Sequence, residues 1–350
     1  MVGTDGAVLT PLRIVFFGTP LFAVATLERL LESAHPVVGV VTQPDRPRGR
    51  GQNVSDSPVK AAAIGHHLPL LQPDTLRAPD VDTWLRALRA DLGVVAAYGK
   101  LIPERLLAVP RLGMINVHGS LLPRYRGAAP VHRAVMAGER ETGVTIMRVI
   151  RELDAGAMFA RCTRPIGPDE TSEAVERDLA MAGAALLVSV VDEIAVGTAR
   201  EEPQDDSQAT YAPRLTKEEG LIDWSRAAQS IHDQVRGLYS WPHAFTFIDG
   251  SRVIVLRTRT GEQVSRAGIH GVMGSGTGGA LGGGTSGVAD VGAHPTAGTV
   301  TDARADGIHV AAGGGTVIIE SLQLEGRRPT PARDFLAGHP LAPGTLLGQR

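Results

Sequence analysis

Asn116 and His118 stand two residues apart at the end of a short apolar run, Met114 to Val117, and Asp154 follows in Arg151-Glu-Leu-Asp-Ala-Gly156. Residues two apart share one face of a β-strand, so the amide and the imidazole point the same way. An amide that can donate, beside an imidazole that can take or give a proton, suits acyl chemistry. In such chemistry negative charge builds on an oxygen while the attacking group sheds a proton. A carboxylate next to the imidazole fixes its tautomer and raises its basicity. On spacing alone plainer readings stay open: Asn116 as a strand-end cap, His118 as a satisfied, partly buried histidine, and Asp154 with Gly156 as a turn.

These residues need a frame. The run at 114–118 breaks into a loop rich in Gly, Pro and Arg before a helix can start near Pro130. Leu12 to Phe17, Val37 to Thr42, Asp91 to Tyr98 and Gly143 to Ile150 read as further buried strands. Helical spacing runs from Leu21 to Leu31 and from about Thr171 to Gly197, and another helix follows Ser57-Pro58, with the serine as N-cap. Strands alternating with helices, and nearly unbroken Val/Ile runs, predict an α/β, doubly wound, mostly parallel, Rossmann-like sheet over residues 11–200. Ligands of such sheets sit outside the carboxyl ends of the strands, where Asn116 and His118 fall. Asp154 follows the next strand in order, so it can face His118 across one crevice. A dinucleotide site is excluded at the first turn. Gly18-Thr-Pro-Leu-Phe-Ala23 holds one glycine where three are needed to bring a pyrophosphate close.

Residues 201–215 read as a polar linker, and 216–350 as a second domain. Within it a helix is expected over Ser225 to Leu238, and an Asp249-Gly250 hairpin turn joins two alternating runs. With candidate strands at Gly298 to Thr301, Gly307 to Ala311 and Thr316 to Leu322, these segments predict a small C-terminal β-barrel, OB-like in strand number. Val264 to Thr296 is dense in glycine and reads as a disordered insertion whose deletion is expected to leave activity largely intact. Residues 1–10 read as a loose extension.

Composition narrows the class. The 350 residues are 43% hydrophobic and carry a net charge of −2, so any nucleic acid must be met by local patches. The single cysteine, Cys162, excludes an internal disulfide and a cysteine-based metal cluster, and it fits a reducing cytoplasm. The histidines show no metal-ligand spacing. No apolar run is read as spanning a bilayer. The expectation is a cytoplasmic monomer. One local patch stands out: Gln43 to Ser57 carries Arg46, Arg48 and Arg50 among prolines and glycines. By composition this is a solvated loop; its sharper reading is a nucleic-acid finger with the three arginines on phosphates.

Several stretches carry a family likeness: Arg13-Ile-Val-Phe-Phe-Gly-Thr-Pro20, Thr42-Gln-Pro-Asp-Arg-Pro47, Gly49-Arg-Gly51 and Ser57-Pro-Val-Lys60. They continue with Ile115-Asn-Val-His-Gly-Ser-Leu-Leu-Pro-Arg-Tyr-Arg-Gly-Ala-Ala-Pro130, Glu141 to Met147 and Leu153-Asp-Ala-Gly156. On these residues the chain resembles the bacterial methionyl-tRNA formyltransferases along nearly its whole length, apart from the N-terminal extension and the Gly-rich insertion. The Ser-Leu-Leu-Pro-Arg block is shared by several folate-dependent formyltransferases, whereas Lys217-Glu-Glu-Gly-Leu-Ile-Asp-Trp224 and the terminal domain single out the tRNA enzymes. The resemblance implies formyl transfer from 10-formyltetrahydrofolate to the α-amino group of methionine on initiator tRNA, without a metal. It implies that Asn116, His118 and Asp154 are catalytic and that Ser120, Leu121, Leu122 and Pro123 bind folate. It further implies that Arg46, Arg48 and Arg50 meet the acceptor stem. Arg252, Arg257, Arg259, Arg327 and Arg328 add a charge argument for holding the tRNA body. Formylation of a sugar-nucleotide amine is the runner-up, since such relatives share the Asn/His/Asp set but need not carry the arginine loop.

Overall fold

A computed structural model describes residues 10–45, 47–48, 53–261 and 295–348. All of the N-terminal extension but Thr10, and all of the glycine-rich insertion but residues 295–296, lie outside the described residues. The chain divides into two compact units, residues 1–216 with 237–240, and 217–236 with 241–350.

The first unit is built on β1 (Ile14–Gly18), α1 (Leu21–Leu31) and β2 (Val37–Val41), followed by a two-residue ladder of β3 (Pro47–Arg48) on β4 (Asn53–Val54). Ser57 caps α2 (Pro58–Gly65) by accepting from the Lys60 amide at 3.2 Å, as expected from a serine before a first-turn proline. Then come β5 (Leu70–Leu71), α3 (Pro79–Ala87), β6 (Leu92–Ala96), α4 (Glu104–Leu107) and β7 (Met114–His118). The unit continues with β8 (Arg126–Gly127), α5 (Pro130–Met136), β9 (Glu141–Arg148), β10 (Met158–Pro165), α6 (Ser172–Val196) and β11 (Tyr211–Ala212). Seven strands form one sheet in the order β10-β9-β7-β6-β1-β2-β5. The five from β7 to β5 run parallel; β9 is antiparallel to β7 and β10 to β9.

Alternation along these strands sorts the side chains into two cores, as a sheet covered on both faces requires. Phe16, Val94, Ile115, Val117, Val144 and Ile146 face the layer of α1, α5 and α6. Val15, Phe17, Val41, Val95 and Met114 face the layer of α3 and α4. Asn116 and His118 keep the parity of Met114, so they lie on the second face, at the carboxyl end of β7.

The long helix α6 runs from its Thr171 N-cap to Gly197 in the left-handed conformation at φ 77°. By length and composition it could cross a membrane, contrary to the expectation that no run is so apolar. Its stripe of Val175, Leu179, Ala180, Leu187, Val190 and Val191 is instead part of the core over the sheet. Residues 201–215, read from polarity as a linker, are tied into this unit. Glu202 bridges to Met158, and β11 pairs in parallel with β8.

The second unit holds α7 (Ala228–Gly237), β12 (Ala244–Ile248), β13 (Ser251–Gly261), β14 (Val300–Arg304), β15 (Gly307–Ala311), β16 (Thr316–Leu324), β17 (Thr330–Pro331) and α8 (Ala332–Gly338). Its antiparallel sheet runs β12-β13-β16-β15-β14, with β17 on β16. Asp249 and Gly250 take φ 46° and 74° in the β12–β13 turn, the left-handed pair that an Asp-Gly hairpin needs. Where the sequence predicts a small barrel, the described residues form an antiparallel sheet in which no ladder joins β12 to β14. Ile231, Val235, Val253, Val255, Val310, Val317 and Leu322 fill the unit's core.

Candidate active site

His118 is 5% exposed, and both ring nitrogens are addressed by the protein. Nε2 lies 3.0 Å from the carbonyl oxygen of Tyr125. A carbonyl only accepts, so Nε2 carries the hydrogen and the neutral ring keeps its lone pair on Nδ1. Nδ1 faces Asp154, whose Oδ2 is 3.6 Å away. The same Oδ2 accepts the Gly127 amide at 2.8 Å, which fixes the carboxylate against the loop that follows β7. Asp154 itself sits in the left-handed region at φ 49°. That conformation is costly for a residue with a side chain, and such strain is retained where the surroundings over-determine it.

The turn carrying Asp154 also depends on Gly156. A Cβ there would stand 1.9 Å from the carbonyl oxygen of Arg148 and 2.8 Å from its carbon, so the requirement is space. Gly156→Ala is therefore expected to push the turn off the end of β9 and destabilise the protein by about 1–3 kcal/mol, the usual cost of overpacking. Urea unfolding checks this as a lower midpoint at unchanged slope.

Asn116 is half-buried, two residues before His118 on the same face, and among the described residues its carboxamide takes no protein partner. Its N–H groups are available to an oxygen arriving beside Nδ1 of His118. Thr145, paired with His118 across β7 and β9, holds the outgoing loop: its hydroxyl donates to Ser120 O at 2.7 Å and accepts the Leu122 amide at 3.1 Å. The Ser120 hydroxyl donates to Arg124 O at 2.6 Å, and Tyr125 N donates to Thr210 Oγ1 at 2.9 Å. Thus Ser120 is spent inside the loop, and Leu122 is buried with Met147 and Met158. Leu121 and Pro123 are the half-buried members of the expected folate stretch.

Of the expected loop arginines, Arg48 lies on β3, while Arg46 and Arg50 fall outside the described residues. At the base of that loop Asp45 is ion-paired to Lys60, which also meets Asp56 at 2.7 Å, and Gln72 donates to Asp45 at 3.1 Å. The hydrogen bonds from Lys60 and Gln72 hold the Asp45 carboxyl below its ordinary range. In the second unit Arg259 is engaged by Asp306 at 2.7 Å and Glu320 at 3.2 Å, and Arg252 lies 4.0 Å over the Phe245 ring. Arg257, Arg327 and Arg328 are exposed.

Sequence reasoning missed the groups behind the site. Arg126, 4% exposed, donates to Gln204 Oε1 at 2.8 and 3.1 Å and to Asp206 at 2.6 Å. Gln204 in turn donates to the backbone oxygens of Asp154 at 2.8 Å and Gly156 at 2.7 Å. A buried arginine inside a polar loop is a readable signal that it has partners; Gln204, in a stretch without periodicity, offers none. Among the described residues no cluster of three or more metal-ligating side chains occurs.

This arrangement can polarise a carbonyl oxygen through Asn116 and relay a proton through His118 and Asp154. Comparison with known proteins points the same way. Residues 12–191 match the formyl transferase family and residues 214–340 its C-terminal domain. Over 342 residues the chain is 44% identical to a methionyl-tRNA formyltransferase of Citrifermentans bemidjiense, with 98% of each chain covered. Among solved structures, HypX from Aquifex aeolicus in complex with tetrahydrofolic acid aligns with a TM-score of 0.58 at 17% identity, over 97% of this chain and 51% of that one. An N-formyltransferase from Helicobacter canadensis in complex with folinic acid and dTDP-3-aminofucose aligns with a TM-score of 0.59 at 15% identity, over 88% and 98% of the two chains. At those identities the structural likeness is one of fold.

Proposed function

This chain belongs to the formyl transferase family, and we propose that it moves a formyl group from 10-formyltetrahydrofolate to the α-amino group of methionine on initiator methionyl-tRNA. The observation that carries this reading is the unpartnered Asn116 amide beside the His118–Asp154 pair, in a chain whose two units both match the family. The methionyl amine attacks the formyl carbon, and a C–N bond forms. Asn116 donates to the oxygen as it takes up negative charge. Nδ1 of His118, with Asp154 behind it, receives the proton that the amine loses, directly or through water. The bond from the formyl carbon to N10 of the folate then breaks, N10 gains a proton, and formyl-methionyl-tRNA and tetrahydrofolate leave.

Leu121 and Pro123 supply an apolar wall for the folate. Ser120 and Leu122 contribute by setting the loop's backbone, because their side chains point inward. Arg46, Arg48 and Arg50 meet the acceptor-stem phosphates, with the loop anchored at Asp45 and Lys60. On this reading the protein acts as a monomer on charged tRNA in the cytoplasm. The fold is shared with N-formyltransferases of amino sugars, so the acceptor is the point to test. Given 10-formyltetrahydrofolate and equal amounts of initiator methionyl-tRNA and a dTDP-linked amino sugar, the protein is expected to formylate the tRNA, read on an acid gel. Formylation of the sugar alone would reject this acceptor.

A further inference from the structure

We propose that Gln204 is a positioning residue for the reaction: its carboxamide clamps the turn that presents the Asp154 carboxylate to His118. The inference rests on the reading of Asp154 as part of the reaction. Asp154 reaches His118 from a turn in which φ is 49°, and a turn of that kind relaxes unless its backbone is held. One donor group holds it. Gln204 Nε2 gives its two hydrogens to the carbonyls of Asp154 and Gly156, at 2.8 and 2.7 Å, on either side of Ala155. Gln204 cannot rotate away, because its Oε1 accepts two hydrogens from the buried Arg126 guanidinium.

Arg126 adjoins Gly127, whose amide grips Asp154 Oδ2 at 2.8 Å. Carboxylate and backbone of Asp154 are thus both held from β8, the first directly by Gly127 and the second by Arg126 through Gln204, and the pairing of β8 with β11 also restricts Gly127. A Cβ at Gly127, where φ is 122°, would stand 2.7 Å from Ala212 O. The segment at 201–212 therefore forms the back of the catalytic turn.

Two substitutions separate clamping from mere filling. Gln204→Glu keeps an acceptor for Arg126 but turns a second oxygen without a proton toward two carbonyls. Gln204→Met keeps the length and loses every hydrogen bond. Each is expected to lower kcat about 10- to 100-fold, the cost of misplacing a reacting group by about an ångström, while KM for folate and for tRNA stays within about threefold. A residue that acts through Asp154 has nothing left to position once that carboxylate is gone. In an Asp154→Ala background the same substitutions should therefore change the rate by less than about threefold.

Hydrogen exchange at the Gly127 amide, which donates to Asp154 Oδ2 and can be followed without substrate, should speed up at least about tenfold in Gln204→Glu. Wild-type rates in both variants, equal fold-losses with and without Asp154, unchanged exchange, or loss of the fold in both variants would each overturn the proposal. If wild-type protein fails to formylate methionyl-tRNA while exchange still responds to Gln204→Glu, the clamp stands and the functional reading falls.

Discussion

Asn116→Ala is expected to slow formyl transfer by about two to three orders of magnitude, the usual cost of removing one oxyanion donor. The loss should fall on kcat and kcat/KM together, because the carboxamide is half-buried, takes no partner from the protein, and is needed only when the formyl oxygen becomes negative. Alanine also leaves no buried group orphaned, so stability should change little. Asn116→Asp sharpens the test. It keeps the shape but offers only acceptors to an oxyanion, and it should be no better than alanine. Steady-state formylation with both substrates varied reads the outcome; a rise in KM alone would assign Asn116 to binding.

His118→Ala is the second large effect, about two to four orders in kcat if the ring moves the amine's proton. Here geometry suggests a finer comparison. Tyr125 O fixes the hydrogen on Nε2, so the basic atom is Nδ1, the atom that faces Asp154. In Asp154→Asn the oxygen that replaces Oδ2 can still accept the Gly127 amide and still faces Nδ1, but the neutral carboxamide carries no charge to stabilise the ring once Nδ1 has taken the amine's proton. The account therefore expects Asp154→Asn to approach His118→Ala in its effect on kcat, although it removes almost no volume. A nearly active Asp154→Asn protein would mean that Asp154 serves only as a spacer in the turn.

What the sequence made legible, and what it hid, follows from the range of each signal. The period of two placed Asn116 and His118 on one face, and the order of elements brought Asp154 to the same crevice, 3.6 Å from the ring. Buried Val/Ile runs marked β1, β2, β6 and β7, since strands covered on both faces leave no polar side. The direction of β9 was not legible, because an antiparallel strand beside β7 has the same apolar parity as a parallel one. Strand β10 was missed: its arginines and its partly exposed face mask the pattern of an edge strand.

The inward turn of Ser120 and Leu122 also escaped a reading of residue types. It depends on the Thr145 hydroxyl, 25 residues from Ser120 and 23 from Leu122. Gln204 lay further from view. Its partner carbonyls are about fifty residues away, and a hydrogen bond to backbone leaves no complementary residue type to recognise.

The most direct test of the account isolates the bond-forming step. Protein loaded with 10-formyltetrahydrofolate is mixed rapidly with a limiting amount of initiator methionyl-tRNA, quenched, and scored for formyl-methionine, with folate affinity measured on the same preparations. The account predicts that wild type converts the tRNA in a single turnover. It also predicts that Asn116→Ala binds folate within about threefold of wild type yet forms the new bond about 100 to 1000 times more slowly. Equal single-turnover rates in the two proteins would contradict it, since the carboxamide at the end of β7 would then play no part in making the bond.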